Sequence, residues 1–228
     1  MQVQMRHQPS FSVARCLLEP GERVRVESGA MLATSWGVQL EANMQGGLIK
    51  GLRRSVLGGE SLFVTTYTAP QAGGWVDIAA VLPGDISVVD LTPERAFYIT
   101  RGCWIANAQG VQIETRWAGM QNLFGGEGGF VIQAHGEGEV VLGAYGAIDT
   151  VELGPGEAVT VDSGHVVAYD AGVQTRLRRA VEGRTFASMT SGEGLVFDFS
   201  GPGRVLVQTR NPAQLISWLT RELPFSRD

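Results

Sequence analysis

The sequence predicts an all-β chain of three internal repeats that ends in one α-helix. Three observations carry this. Short β-branched segments recur between glycine and proline signals, a pair of turn signatures returns at about 67-residue spacing, and one stretch with helical periodicity stands near the C-terminus. Of the 228 residues, 44% are hydrophobic and 18% charged, enough apolar material for a real core and too much for wholesale disorder. The 31 glycines follow no G-X-Y period, so they mark tight turns and not a collagen helix. A net charge of −5 argues against general nucleic-acid binding and leaves room for a local basic patch. We read residues 1–228 as a single domain.

The strands follow in order. Arg23–Glu27 reads R-V-R-V-E, with both valines on one face, and Val38, Leu40, Ala42 and Met44 alternate with Gln39, Glu41 and Asn43. Leu62–Tyr67, Trp75–Ala79, Ile86–Leu91, Ala96–Thr100 and Val111–Thr115 continue the series. Then come Phe130–Ala134, Val140–Leu142, Ile148–Leu153, Ala158–Asp162, His165–Tyr169, Leu195–Phe199 and Arg204–Gln208. So many short, half-buried strands indicate a sandwich, a barrel or a double-stranded β-helix. The helix is expected over residues 211–223. Asn211 is a capping residue, Pro212 sits where proline favours a helix start, and Leu215, Ile216, Trp218, Leu219 and Leu223 form an apolar stripe. That stripe should pack on a sheet or on a neighbouring subunit.

Two signatures define the repeat. Pro20-Gly21-Glu22 precedes Gly29-Ala30-Met31, and Pro155-Gly156-Glu157 precedes Gly164-His165-Val166 at the same offset. Pro83-Gly84-Asp85 precedes Gly102-Cys103-Trp104 at an offset that implies a ten-residue insertion in the middle unit. The second signature is a glycine-flanked glutamate at Glu60, Glu127 and Glu193. Both are turn chemistry first, because proline presets φ and glycine supplies positive φ. A functional reading would bring Glu60, Glu127 and Glu193 together as a polar site near the repeat axis.

These residues carry a family resemblance. Glu19–Leu32, Gly58–Phe63, Phe124–Phe130, Ala144–Ile148, Val161–Asp170 and Gly192–Arg210 together resemble the family named for altered inheritance of mitochondria in yeast, the mitochondrial biogenesis family, whose bacterial members are conserved hypothetical proteins. The resemblance runs over nearly the whole chain. It implies an all-β, double-stranded β-helix fold classed with the tryptophan RNA-binding attenuation protein, and it implies trimers. Mitochondrial relatives are linked to inner-membrane organisation. This chain opens on a polar MQVQMRHQPS without a transit peptide, so that role is not carried over. No catalytic residues come with the resemblance.

The chemistry readable in the residues is sparse. His7, His135 and His165 have no metal-ligand spacing, and no nucleophile elbow, Walker loop or dinucleotide fingerprint is present, so no metal, cofactor or enzyme activity is expected. Cys16 and Cys103 are isolated and read as reduced core thiols, in keeping with the cytoplasm. No run is long and apolar enough to span a bilayer. Two basic clusters, Lys50, Arg53 and Arg54 and then Arg176, Arg178 and Arg179, occupy equivalent places in the first and third repeats. They are either solvated surface or an anion site. Trp104 corresponds to Met31 and Val166, which suggests burial. The leading expectation is a non-enzymatic, cytoplasmic homo-oligomer, a trimer, serving as scaffold or adaptor. The alternative is a module binding RNA or another anion through the basic clusters, and a third is a carrier or enzyme using the three glutamates.

Overall fold

A computed structural model describes residues 1–44, 63–117, 130–180 and 194–223. After an N-terminal strand β1 (Gln2–Arg6), the strands fall into three consecutive groups of six. The first is β2 (Val13–Leu18), β3 (Arg23–Glu27), β4 (Met31–Thr34), β5 (Gln39–Met44), β6 (Phe63–Thr68) and β7 (Gly74–Ile78). The second is β8 (Ile86–Leu91), β9 (Phe97–Thr100), β10 (Trp104–Ala108), β11 (Val111–Trp117), β12 (Phe130–Gly136) and β13 (Gly138–Gly143). The third is β14 (Ile148–Leu153), β15 (Ala158–Asp162), β16 (Val166–Asp170), β17 (Gln174–Arg179), β18 (Leu195–Ser200) and β19 (Gly203–Gln208). Helix α1 (Pro212–Glu222) closes the described chain.

In each group the first and third strands flank the sixth, and the second and fourth flank the fifth, all antiparallel. The first group pairs β2–β7–β4 and β3–β6–β5. The second pairs β8–β13–β10 and β9–β12–β11. The third pairs β14–β19–β16 and β15–β18–β17. Neighbouring groups share sheets, because β10 also pairs with β3 and β16 also pairs with β9. The result is four antiparallel sheets, ordered β1-β2-β7-β4, β5-β6-β3-β10-β13-β8, β11-β12-β9-β16-β19-β14 and β15-β18-β17. Three buried clusters lie between successive sheets, around Val24, Val26 and Ile78, around Phe97, Ile99 and Trp104, and around Tyr169, Phe199 and Val205.

Local chemistry accounts for the turns. Glu22 N–H donates to Glu19 at 2.9 Å and Glu157 N–H to Gly154 at 3.1 Å, closing turns in which Gly21 (φ +72°) and Gly156 (φ +82°) take the left-handed conformation that a type II turn requires. The middle group makes this turn elsewhere than the sequence suggested. Arg95 N–H donates to Thr92 at 2.9 Å, so Thr92–Arg95 is the counterpart, and Pro93 stands as far before Gly102 as Pro20 before Gly29. No ten-residue insertion exists there. Pro83–Asp85 is instead the link between groups, where Gly84 bridges Gly146 and Asp85 N–H donates to Gly146 at 2.7 Å.

Five strands were not legible: β1, β2, β4, β10 and β17. β10 is buried at every position, so it shows no two-residue alternation, and β17 is mostly polar. The helix has the expected cap, Asn211 Oδ1 accepting from Ala213 N–H at 2.9 Å. It has no buried residue, however. Leu215 and Leu219 are half-buried, while Ile216, Trp218 and Leu223 are exposed, so the stripe is not packed into a sheet of its own chain.

Candidate functional site

Lys50, Arg53, Arg54, Glu60, Glu127 and Glu193 lie outside the described residues. Arg176, Arg178 and Arg179 lie on β17, but Arg178 is committed: its guanidinium grips Asp198 on β18 through two hydrogen bonds of 2.7 and 3.0 Å. That contact holds the Asp198 carboxyl below the ordinary carboxylate range, with Thr160 adding a second hydrogen bond. Arg176 and Arg179 are exposed. His165 sits in a short 3₁₀ turn, with Nδ1 2.7 Å from the Gln208 carbonyl oxygen. Burial pushes both cysteine thiols up to about 12, which makes them inert at neutral pH. Among the described residues no group of histidine, cysteine and carboxylate side chains is placed to hold a metal.

A buried charge cluster that sequence reading missed is centred on Asp77, 4% exposed, which accepts from Arg6 at 2.7 Å and from Arg15 at 2.8 Å. Arg15 also lies over the Trp75 ring at 3.9 Å. Hydrogen bonds first from Arg15 and then from Arg6 hold the Asp77 carboxyl below its usual range. The strand pattern placed Trp75 and Asp77 on one face, but nothing in the sequence joins them to residues so far upstream.

The most distinctive geometry is at two sheet edges. Among the third strands of the groups, β10 and β16 are paired on both flanks, whereas β4 pairs, among the described residues, only with β7. Among the second strands, β3 and β9 are paired on both flanks, whereas β15 pairs, among the described residues, only with β18. The edges are complementary. Because Ser35 N–H donates to Trp75 at 3.0 Å, the preceding Thr34 directs its backbone groups away from β7. Because Gly201 N–H donates to Glu157 at 3.0 Å, alternation along β15 turns Thr160 away from β18 in the same manner.

The two complete pairings fix which residues would face each other. Ala106 faces Val26 and Ala168 faces Ile99. By position, Ala33 corresponds to Ala106 and Ala168, since each follows a bulge against the sixth strand. Val161 corresponds to Val26 and Ile99. A β4–β15 pairing would therefore set Ala33 against Val161, and Thr34 against Thr160.

Side-chain burial follows the pairing. At the bulge, Trp104 and Ile105 are each 1% exposed and Val166 and Val167 are buried, but Met31 is 38% and Leu32 61% exposed. Met31 thus does not share the burial of Trp104, because no strand among the described residues covers the outer flank of β4. Trp36, in the turn after β4, is also exposed. Ile105 enters the cluster around Val24 and Val26, and Val167 the one around Phe97 and Ile99. Leu32 has no such cluster to enter, and Val159 and Val161 on β15 stay half-buried. Fully burying a side chain of that size contributes roughly 1.5–3 kcal/mol, so this edge leaves appreciable free energy unrealised in the single chain.

The protein is therefore an all-β chain of antiparallel sheets with one C-terminal helix and two complementary, half-paired edges. Residues 3–210 match the family model described as Mitochondrial biogenesis AIM24, and the chain belongs to that family. An uncharacterised protein of Streptococcus pyogenes serotype M6 is 29% identical over 224 residues, covering 95% of this chain and 88% of that protein. The X-ray crystal structure of a Streptococcus pyogenes protein, a structural genomics target, is 26% identical with a TM-score of 0.81, covering 97% of this chain and 99% of that one. Among the described residues no helix is long and apolar enough to cross a membrane.

Proposed function

We propose that the chain is a non-enzymatic, cytoplasmic scaffold or adaptor that works as a homo-oligomer, a trimer, in which the three strand groups are repeats of one unit. The observation that carries this reading is the pair of complementary edges, with Thr34 and Thr160 directing backbone groups outward at the positions the two complete pairings would bring together. An exposed edge is a template for another strand, and one edge here carries apolar side chains besides. Two different edges on one chain make a head-to-tail interface, and such an interface gives a ring when its rotation closes. The trimer and the placement with the tryptophan RNA-binding attenuation protein rest on the family resemblance. The two free, buried cysteines support a reducing compartment.

Native mass spectrometry tests this with the Thr34→Pro variant. Proline there removes only an outward N–H, which edge strands tolerate. A trimer mass for the wild type that falls to a monomer in Thr34→Pro, with unchanged circular dichroism, is expected. A wild-type monomer at tens of micromolar, or a Thr34→Pro trimer, would refute the edge reading.

A further inference from the structure

We propose that α1 clasps the neighbouring copy, its apolar stripe covering the place where Met31 and Leu32 of that copy enter the joined edge. This rests on the edge-to-edge assembly just described and adds to it the part of the molecule that secures the joint.

Three observations lead there. The foot of the helix is fixed beside β15. The Asn211 side chain packs so closely on Gly164 that no Cβ would fit, and Gln208 Nε2 donates to the Gly164 carbonyl at 3.0 Å. Residues 163–165 form the turn that leads out of β15, so the helix rises from one end of that edge. Second, the antiparallel register that sets Ala33 against Val161 carries Leu32 and Met31 of the other copy past Asp162 toward this same turn.

Third, the counterpart within the chain shows what such a leucine meets. A Cβ on Gly143 would crowd both Ile105 and Ala80, so these three residues converge, and the segment of Ala80 leaves β7 toward the next group. Asp77 and Leu206 face Ala33 and Ala168 in the corresponding pairings, so Ala80 corresponds to Thr209. Leu32 of a second copy would thus rest at Thr209, directly before α1.

The chemistry of the helix matches. It is an 11-residue helix, a length that is marginal in water without packing. Its stripe is covered only in part, with Leu215 and Leu219 half-buried but Ile216 64% and Trp218 51% exposed, and the β4 residues it would meet are equally apolar and uncharged. A lipid surface is the less fitting occupant, because the helix carries a single basic residue, Arg221, whose guanidinium pairs with Glu222 at 3.2 Å.

Hydrogen exchange read by mass spectrometry tests the clasp on the full chain, comparing the wild type with Thr34→Pro and Ile216→Asp. Expected are at least tenfold slower exchange of the residue 213–222 amides in assembled wild type than in monomeric Thr34→Pro, and at least tenfold weaker assembly of Ile216→Asp with unchanged circular dichroism. If the wild type and Ile216→Asp assemble equally and the helix exchanges at the same rate in assembled and monomeric protein, the clasp is overturned while the edge reading stands. A wild type that stays monomeric removes both. Helix protection that appears only with phosphatidylglycerol vesicles would assign the stripe to a membrane surface and overturn the clasp.

Discussion

Strands β4 and β10 hold corresponding places, each third in its group, each bulged against the sixth strand, yet their side chains meet opposite environments. Trp104 and Ile105 are sealed in, while Met31 and Leu32 face outward. The residue types do not explain this, since both pairs are large and apolar. The difference is one neighbour: β10 has β3 on its outer flank and β4 has nothing there among the described residues. Burial of a strand here is set by the group that adjoins it, so the first group exposes on β4 what the middle group hides on β10.

Mutations can break or sharpen that contrast. The largest effect belongs to Trp104→Ala, which should destabilise the fold by about 3–5 kcal/mol, read as a lowered urea midpoint, because it empties a fully buried site. Asp77→Asn should cost roughly 2 kcal/mol at neutral pH by weakening the hydrogen bonds from Arg6 and Arg15. Its pH dependence has a definite sign. The folded carboxyl titrates below its ordinary value, so its stabilisation is complete above about pH 4 and is lost as pH falls through the lowered folded value. The wild type and Asp77→Asn should therefore converge in acid-titrated urea melts. Divergence toward low pH would contradict the assignment.

Leu32→Ala is the direct partner of the Trp104 experiment. In dilute, dissociated protein it should move stability by no more than about 0.5 kcal/mol, because the side chain touches little there. If Leu32→Ala proves as costly as a core truncation under those conditions, β4 is covered within its own chain and the contrast with β10 disappears. The smallest expected signal is from the thiols. With both pushed up to about 12 by burial, Cys16 and Cys103 should stay silent toward a thiol reagent at pH 8 and react only in denaturant.

Much of the architecture was written locally. The alternation in Arg23–Glu27 and Ile148–Leu153, the Pro-Gly turns at residues 20–21 and 155–156 and the Asn211-Pro212 helix start all lie where the sequence placed them. Each is a short-range pattern, and short-range patterns survive without knowledge of the fold. The turn at Thr92–Arg95 escaped because Pro93 is followed by Glu94, whereas Pro83-Gly84 supplied the more conspicuous signal in a linker. Of the proposed site residues, only Arg176, Arg178 and Arg179 fall in described structure, and the pairing of Arg178 with Asp198 on another strand could not be read from spacing.

By itself, the amino-acid sequence determined the strand-rich class, the turn chemistry, the helix and the family, since all of these depend on residues close together in the chain or on their order. Tertiary structure alone decided which strands lie side by side, that Asp77 meets Arg6 and Arg15, and that the apolar pair at Met31 and Leu32 stays uncovered while its counterpart at Trp104 and Ile105 is buried. The physical reason is that burial and hydrogen-bond satisfaction belong to pairs of segments distant in sequence. A strand carries no local mark of whether its second flank will find a partner.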